Sequence, residues 1–266
     1  MAQLQRLVIA SEQRQEGQIL LTLPQQHYLN RVLRLGEGDR FIAMDGQGSW
    51  WLSELEASLT QAKIIESLCV QTELLAAVTL MAAMPKGSGF DEVVYQATEL
   101  GIACIIPLRS DRTLLNPSPQ KLERWRRIAQ EAAEQSERQV VPTILDPVDF
   151  ATSFQLETTL NAHRYICVAR GDAPHLLSCL SDIELPLEAG QPSNPQPPSI
   201  VIATGPEGGW TTTEVEQATA AGFQPVSLGR RILRAVTAPI VALSLIASVW
   251  EVTRGNHEET TKRVER

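Results

Sequence analysis

The sequence predicts an α/β fold preceded by a small β-rich domain. From about residue 73 onward, apolar segments typical of strands alternate with amphipathic helical segments. Such alternation is typical of a parallel sheet that is covered by helices on both faces. Before that point, short strand-like runs are separated by glycine-containing turns. We therefore predict one domain over residues 1–72 and a second over residues 73–266.

Composition and charge restrict the class of protein. The 266 residues are 43% hydrophobic and carry a formal net charge of −8, so a surface that is basic all over is excluded. The four cysteines form no CxxC pair and predict buried, reduced thiols and no metal site. The N-terminus has no signal-peptide pattern, and Pro239 and Glu251 interrupt the most apolar stretch. We expect a cytoplasmic protein without a membrane-spanning helix.

The first domain reads as a series of short strands. Asp45-Gly46 followed by Gly48 is typical of a hairpin turn, and residues 36–39 predict another turn. Only His27–Leu35 has a helical pattern. Because side chains alternate along a strand, we expect at most one of Trp50 and Trp51 to face the core. The predicted strands are Leu7–Ala10, Arg40–Met44, Trp50–Leu55 and Ala62–Cys69.

The second domain alternates strands and helices in order along the chain. A proline-rich segment, Pro192–Pro198, separates two of these units and predicts a surface loop. The predicted strands are Val78–Met84, Ile102–Leu108, Tyr165–Ala169, Ile200–Thr204 and Pro225–Leu228. The predicted helices are Phe90–Leu100, Pro119–Ser136, Thr211–Ala221 and Pro239–Val252.

A glycine-rich loop, TGPEGG at 204–209, follows an apolar strand and precedes a helix whose start reads as a capping box. Strand, glycine loop and helix together bring backbone amides close to a ligand without intervening side chains. The loop lacks both the dinucleotide fingerprint and the P-loop pattern. A ligand loop and a purely structural turn both fit this spacing.

A second loop, LGRRILRAVTA at 228–238, carries three arginines within five positions. A solvated basic segment that leads into a helix explains the pattern. A site that meets an anionic substrate explains it as well, because guanidinium groups match phosphate oxygens.

Together, TGPEGGW at 204–210 and LGRRILRAVTA at 228–238 resemble the C-terminal signature of the RsmE family, the ribosomal RNA uracil-N3 methyltransferases of the SPOUT superfamily. The resemblance covers most of the chain. Further segments similar to the family are HYLNRVLR at 27–34, Lys86, TELG at 98–101, Arg112, Arg124-Trp125, EAAEQS at 131–136, Arg138 and Pro142. The chain departs from the family at Ala235-Val236, where members commonly carry Thr-Glu, and at Glu137.

This resemblance implies a fold, a cofactor and a partner. The fold is a PUA-like β-barrel over 1–72, followed by a SPOUT methyltransferase domain over 73–266 with a C-terminal trefoil knot. The cofactor is S-adenosyl-L-methionine, held by the two loops, and the enzyme is a homodimer that methylates N3 of a uridine in 16S ribosomal RNA or in the small-subunit particle. The implied cofactor residues are Thr204, Gly205, Pro206, Gly208, Gly209, Leu228, Gly229, Ile232, Leu233, Arg234, Ala235 and Thr237.

The chemistry suggests roles for charged residues. Arg234 is the candidate that stabilises the uracil anion by Coulomb attraction. Glu207 is a candidate base, although an acid in that loop equally suits a cap for the next helix. Since Arg31 and Arg34 are three residues apart, a helix would place them on one face. The candidate RNA-binding residues are Arg6, His27, Arg31, Arg34, Lys86, Arg112, Arg138, Arg230 and Arg231.

Two other functions fit the same sequence. One is a different SPOUT RNA methyltransferase, acting on a ribose 2′-hydroxyl or on tRNA. The other is an inactive RNA-binding module of ribosome assembly. The retained glycines at 205, 208 and 209 and Arg234 argue against loss of catalysis, because a protein that only binds RNA has no need of a cofactor loop.

Overall fold

The computed structural model describes residues 4–183 and 198–264, the last thirteen of these by their backbone alone. The chain divides into two compact units. The first is Met1–Glu73 with Gln130–Val141, and the second is Leu74–Ala129 with Pro142–Arg266. The division into domains 1–72 and 73–266 stays a proposal. Most of the proline-rich segment 192–198 lies outside the described residues.

The first unit contains a six-stranded, mostly antiparallel sheet in the order β1-β4-β5-β6-β3-β2, in which β1 and β4 are parallel. Residues 23–27 form helix α1, and a single π-helical turn, Tyr28–Val32, continues it. Three of the four predicted strands match to within one residue, and the fourth, 7–10, to within two; the short β2 and β3 were not predicted. The strands are β1 (Arg6–Val8), β2 (Arg14–Gln15), β3 (Gln18–Leu20), β4 (Arg40–Met44), β5 (Trp50–Leu55) and β6 (Gln61–Leu68).

The predicted hairpin turn joins β4 and β5. The carboxylate of Asp45 accepts the N–H groups of Gln47 and Ser49 at 2.8 and 2.9 Å. Burial opposes ionisation, but these hydrogen bonds outweigh it and lower the pKa of Asp45. Gly46 and Gly48 have φ of +68° and +117°, so the glycines of the motif are required by the backbone.

Both tryptophans of β5 are buried, at 3% and 7% exposure, but they lie in different apolar clusters, so the expectation that at most one faces the main core is confirmed. Both faces of the strand are covered. Trp51 packs in the main apolar cluster of the unit. Trp50 packs in a second cluster with Ile42 and Met44, onto which Val141 also packs.

Residues 130–141 are tied into the first unit by ion pairs and hydrogen bonds. The Glu73 carboxylate accepts hydrogen bonds from the Arg138 guanidinium and from the backbone N–H of Gln139 at 2.9 Å. Arg6 pairs with Glu137 at 2.6 Å. The prediction that Arg138 contacts RNA finds no support, because its side chain is 4% exposed and its charge is already paired.

The second unit is built on a seven-stranded parallel sheet in the order β10-β8-β7-β12-β11-β13, with β9 also paired to β8. The parallel sheet and all five predicted strands are confirmed, with ends shifted by up to two residues. The strands are β7 (Ala77–Ala83), β8 (Cys104–Arg109), β9 (Thr143–Ile144), β10 (Val148–Asp149), β11 (His163–Cys167), β12 (Ser199–Thr204) and β13 (Gln224–Val226).

Helices α2 to α7 accompany this sheet, and the four predicted helices are present. The indole N–H of Trp125 in α3 donates to the Asp91 carboxylate at 2.8 Å, and its ring lies 4.5 Å from Phe90. Helix α7 packs against α2, α5 and β12. No helix among the described residues is long and apolar enough to cross a membrane. The helices are α2 (Gly89–Glu99), α3 (Pro119–Gln135), α4 (Phe150–Ser153), α5 (Leu176–Ser181), α6 (Thr212–Ala220) and α7 (Thr237–Val264).

We predict that Glu73→Ala destabilises the first unit by about 3 kcal/mol, because it leaves the buried guanidinium of Arg138 without this carboxylate. Urea denaturation followed by circular dichroism measures the change. The control is Glu66→Ala, an exposed glutamate of β6, for which we expect a change within about 0.5 kcal/mol. Equal effects of the two substitutions would contradict the structural role of Glu73.

Candidate functional site

A cavity of about 870 Å³ lies at the carboxyl ends of β11, β12 and β13, entirely within the second unit. In open parallel sheets, ligands bind outside the carboxyl ends of the strands. The volume falls within the range of about 300–1,000 Å³ that is usual for small-molecule sites. Three loops, at 168–173, 205–211 and 227–236, contribute most of the lining.

The glycine-rich loop after β12 is closely packed on its inner side. A Cβ at Gly205 would lie 3.1 Å from the Trp210 ring. That ring stacks on Phe150 with centroids 4.6 Å apart, and its N–H donates to the Cys167 carbonyl at 3.1 Å. Gly209 has a φ of +68° with open space where a Cβ would lie. Because nothing lies within 4 Å of that Cβ position, the loop presents bare backbone at Gly209.

Arg112, from the loop after β8, also lines the cavity and contacts the glycine loop. Its guanidinium donates to the Gly208 carbonyl at 2.5 Å, and a Cβ at Gly208 would lie 3.0 Å from its Cδ. Gly208 therefore has little room for a side chain. Arg112 acts on the shape of this loop, in addition to being a candidate for RNA contact.

The helix after the glycine loop starts with the predicted capping box. The Thr211 hydroxyl accepts the Glu214 N–H at 3.2 Å, and the Glu214 carboxylate accepts the Thr211 N–H at 2.7 Å. Glu207 does not cap α6, so that alternative was wrong. Glu207 lines the cavity, and its carboxylate accepts the Lys86 N–H at 2.9 Å.

The arginine-bearing loop after β13 supplies apolar lining. Gly229 has a φ of +112°, and Ile232 lines the cavity with 66% of its surface exposed. Such an exposed apolar side chain suits a ligand that covers it. The Arg234 side chain is exposed, whereas its carbonyl accepts the N–H groups of Thr237 and Ala238, both at 2.9 Å, where α7 begins.

Most of the predicted cofactor residues lie together. Thr204 is buried at the end of β12, and Arg234 and Thr237 lie beside the lining rather than in it. Those that line the cavity are Gly205, Pro206, Gly208, Gly209, Leu228, Gly229, Ile232, Leu233 and Ala235.

The loop after β11 lines the cavity but was not predicted to do so. It includes Arg170, Asp172 and Gly171, which has a φ of +100°. The strand itself was predicted, but its place in the sheet was not. Because β11 lies between β12 and β13, its loop lies beside both predicted loops.

The predicted RNA-binding residues are spread over the two units. Arg230 and Arg231 are exposed on the loop after β13, and Lys86 on the loop after β7. In the first unit, His27 and Arg31 are exposed, while the Arg6 side chain is 9% exposed. The argument that Arg31 and Arg34 share a helix face was wrong, because Arg34 lies beyond the π-helical turn with a φ of +61°.

Val236, one of the three positions at which the chain departs from the family pattern, has a defined packing role. A Cβ at Gly89 would lie 2.8 Å from Cγ1 of Val236. Val236 therefore packs against the first residue of α2, which has to be glycine. No group of three or more His, Cys, Asp or Glu side chains suited to a metal is present in the described part of the chain.

Comparison with known families supports an RNA-modifying protein. A family model described as an RNA methyltransferase domain matches residues 72–247. A second, described as an RNA methyltransferase PUA domain, matches residues 21–66. The first match covers well over half of the chain, and the second lies within the first unit.

Individual relatives agree with these models. The chain is 47% identical to a ribosomal RNA small subunit methyltransferase E from Synechocystis sp., over 92% of this chain and 78% of that protein. It is 33% identical to the protein of that name from Bacillus subtilis, over 89% and 92%. A crystal structure of that enzyme from Neisseria gonorrhoeae, bound to S-adenosyl methionine, is 28% identical with a TM-score of 0.79 and covers 93% and 98% of the two chains.

We predict that the cavity thiol is inert. Burial raises the pKa of Cys167 to about 12 and that of Cys104 to about 11, and burial also raises the pKa of Cys179. All three stay protonated at pH 8, and the thiolate is the reactive form. Titration of the folded protein with an aromatic disulfide reagent at pH 8 is expected to modify only the exposed Cys69 rapidly.

The matched variant for this titration is Cys69→Ser, which is expected to abolish the rapid phase. A rapid phase that persists in this variant would show that one of the buried thiols, Cys167 included, is accessible and ionised.

Proposed function

This chain belongs to the ribosomal RNA small subunit methyltransferase E family of RNA methyltransferases, and we propose that it transfers a methyl group from S-adenosyl-L-methionine to N3 of one uridine in 16S ribosomal RNA. The observation that carries the proposal is the cavity bounded by the glycine-rich loop and the arginine-bearing loop. The N3 position follows from the family resemblance.

The cavity fits S-adenosyl-L-methionine chemically. The cofactor combines a flat apolar base with polar sugar and amino-acid groups. Leu228, Ile232 and Leu233 offer an apolar surface for the base. The backbone is bare at Gly209, where nothing lies within 4 Å of a Cβ position, and at Gly229, where only the Arg231 guanidinium lies 4.0 Å away. Bare backbone of this kind suits hydrogen bonds to the polar groups of a ligand.

When bound, S-adenosyl-L-methionine supplies an electrophilic methyl group, and the protein's task is to align and desolvate the reacting groups. Uracil N3 carries a proton at neutral pH, so its anion has to be stabilised. Arg234 is the proposed cation for this role, since its side chain is exposed between two lining residues, Leu233 and Ala235. Glu207 is the proposed base, with one carboxylate oxygen held by the Lys86 N–H.

RNA contacts are proposed for exposed cations of each unit. Arg112 and Arg231 line the cavity, and Arg230 is adjacent to Arg231 in the chain. In the first unit, His27 and Arg31 are exposed. Each phosphate contact is expected to steepen the salt dependence of binding. Lys86 and Arg34 complete the proposed set; Arg6 and Arg138 act as internal braces.

Four further features are proposed on the strength of the family resemblance. These are domains at 1–72 and 73–266, a C-terminal trefoil knot, a homodimer and a cytoplasmic location. The knot and the cytoplasmic location rest on that resemblance alone. Partly exposed apolar residues of α7, Val241 and Leu245, support the homodimer.

We predict that Arg234→Ala lowers kcat about 10²–10³-fold while the protein stays folded, because a cation that stabilises the anionic transition state is lost. Purified protein is incubated with labelled cofactor and small-subunit particles lacking the modification, and the product nucleoside is identified by mass spectrometry. Arg230→Ala is the matched neighbour and is expected to raise KM for the particle with kcat largely kept. Near-normal turnover by Arg234→Ala would contradict the role of Arg234 as the stabilising cation. A 2′-O-methylated product would contradict methylation at N3.

We predict a dimeric mass for the wild-type chain by light scattering at micromolar concentration. Leu245→Glu is expected to shift the mass towards the monomer, because a charge in an apolar interface is costly. A monomeric wild-type protein would contradict the proposed homodimer.

A further inference from the structure

The buried carboxylate of Glu214 joins two loops that are far apart in the sequence. It is 2% exposed and lies in the first turn of α6. Its Oε1 accepts the backbone N–H of Asp111 at 2.9 Å, in the loop after β8. Its Oε2 accepts the backbone N–H of Thr211 at 2.7 Å and the Thr211 hydroxyl at 3.0 Å. Both oxygens are therefore engaged.

Asp111 closes the same cluster. Its Oδ2 lies 3.2 Å from the Thr211 hydroxyl, so the one hydroxyl proton of Thr211 lies within reach of two carboxylates, one from the loop after β8 and one from α6. We call Asp111, Thr211 and Glu214 the acidic clamp. A capping box alone needs only Thr211 and Glu214; the bond to the Asp111 N–H goes beyond what the cap of α6 requires.

The clamp acts directly on the cavity. Thr211 lines the cavity and ends the glycine-rich loop, and Arg112 follows Asp111 in the chain. The Arg112 guanidinium donates to the Gly208 carbonyl. The glycine loop is thus held at Gly208 and at Thr211 by the same short segment, residues 111–112.

We propose that Glu214 is a positioning residue that fixes the glycine-rich loop in its ligand-binding shape before the cofactor arrives. The loop has little side-chain packing of its own at Gly208 and Gly209, so its shape depends on these backbone anchors. A preorganised loop binds more tightly because less ordering is left to occur on binding. This inference rests on the proposed function, since it takes S-adenosyl-L-methionine as the ligand.

The test uses Glu214→Gln in the full-length protein. Glutamine keeps the size but offers one acceptor oxygen, so one anchored N–H loses its partner. An unsatisfied buried donor is expected to weaken cofactor binding about tenfold or more. Titration calorimetry measures Kd, and steady-state assays are expected to show a raised cofactor KM with kcat within about threefold of wild type, because saturating cofactor restores the loop. Glu216→Gln, an exposed change of equal charge on α6, is the control.

A second readout needs no cofactor. Hydrogen exchange of the unliganded protein is expected to show faster exchange at the N–H of Asp111 and Thr211 in Glu214→Gln, with β12 unchanged. The double variant Arg112→Ala/Glu214→Gln is expected to lose less free energy of cofactor binding than the two single variants lose together, because both residues act on one loop.

The possible outcomes distinguish a failure of the positioning role of Glu214 from a failure of the proposed function. If wild type and Glu216→Gln bind S-adenosyl-L-methionine but Glu214→Gln binds equally well, the positioning role is overturned. A lowered melting temperature with unchanged Kd would also overturn it, since that is the result of a purely structural residue. If the folded wild type does not bind the cofactor, the proposed function itself fails, and the exchange experiment alone then decides whether the clamp orders the loop.

Discussion

The site depends on one constraint: a wall of the cavity has to be made of backbone. The aromatic ring of Trp210 lies so close to Gly205, and Arg112 so close to Gly208, that a side chain at either glycine would displace a group that shapes the loop. At Gly209 the constraint is the left-handed backbone, with φ of +68°. Both the close packing and the left-handed backbone favour glycine at these positions, so a ligand can approach the backbone amides of the loop directly. Because three of its residues are glycines, its shape also has to be imposed from outside.

That external support comes from the parallel sheet and the loops at its carboxyl edge. Trp210 stacks on Phe150 and binds the Cys167 carbonyl, so the glycine loop is anchored to the end of β11. Glu207 is held by the Lys86 N–H, from the loop after β7. Because β12 lies between β7 and β11, the loop after β12 is close enough to bind both the Lys86 N–H and the Cys167 carbonyl. The chemistry proposed for the cavity therefore relies on sheet order as much as on the loop sequence.

Periodicity and turn residues were enough to predict the β-rich first part and the parallel sheet, whereas the two loops were assigned to a cofactor site only through the family resemblance. These local signals failed where the outcome depends on sheet order or on burial by distant segments. The loop carrying Arg170 and Asp172 was missed because no local signal places β11 between β12 and β13. Arg138 looked like a free cation, since its pairing with Glu73 spans 65 residues. The knot rests on the family resemblance alone, because the threading of a chain leaves no periodic pattern in the sequence.

The most direct test of this account is calorimetric titration of the wild-type protein and of Gly209→Val with S-adenosyl-L-methionine. The matched control is Gly222→Val, which also replaces a positive-φ glycine of the second unit but one outside the cavity. The account predicts saturable binding by wild type and control, and loss of binding in Gly209→Val. A folded wild-type protein that does not bind the cofactor at millimolar concentration would contradict the central claim, as would unchanged affinity in Gly209→Val.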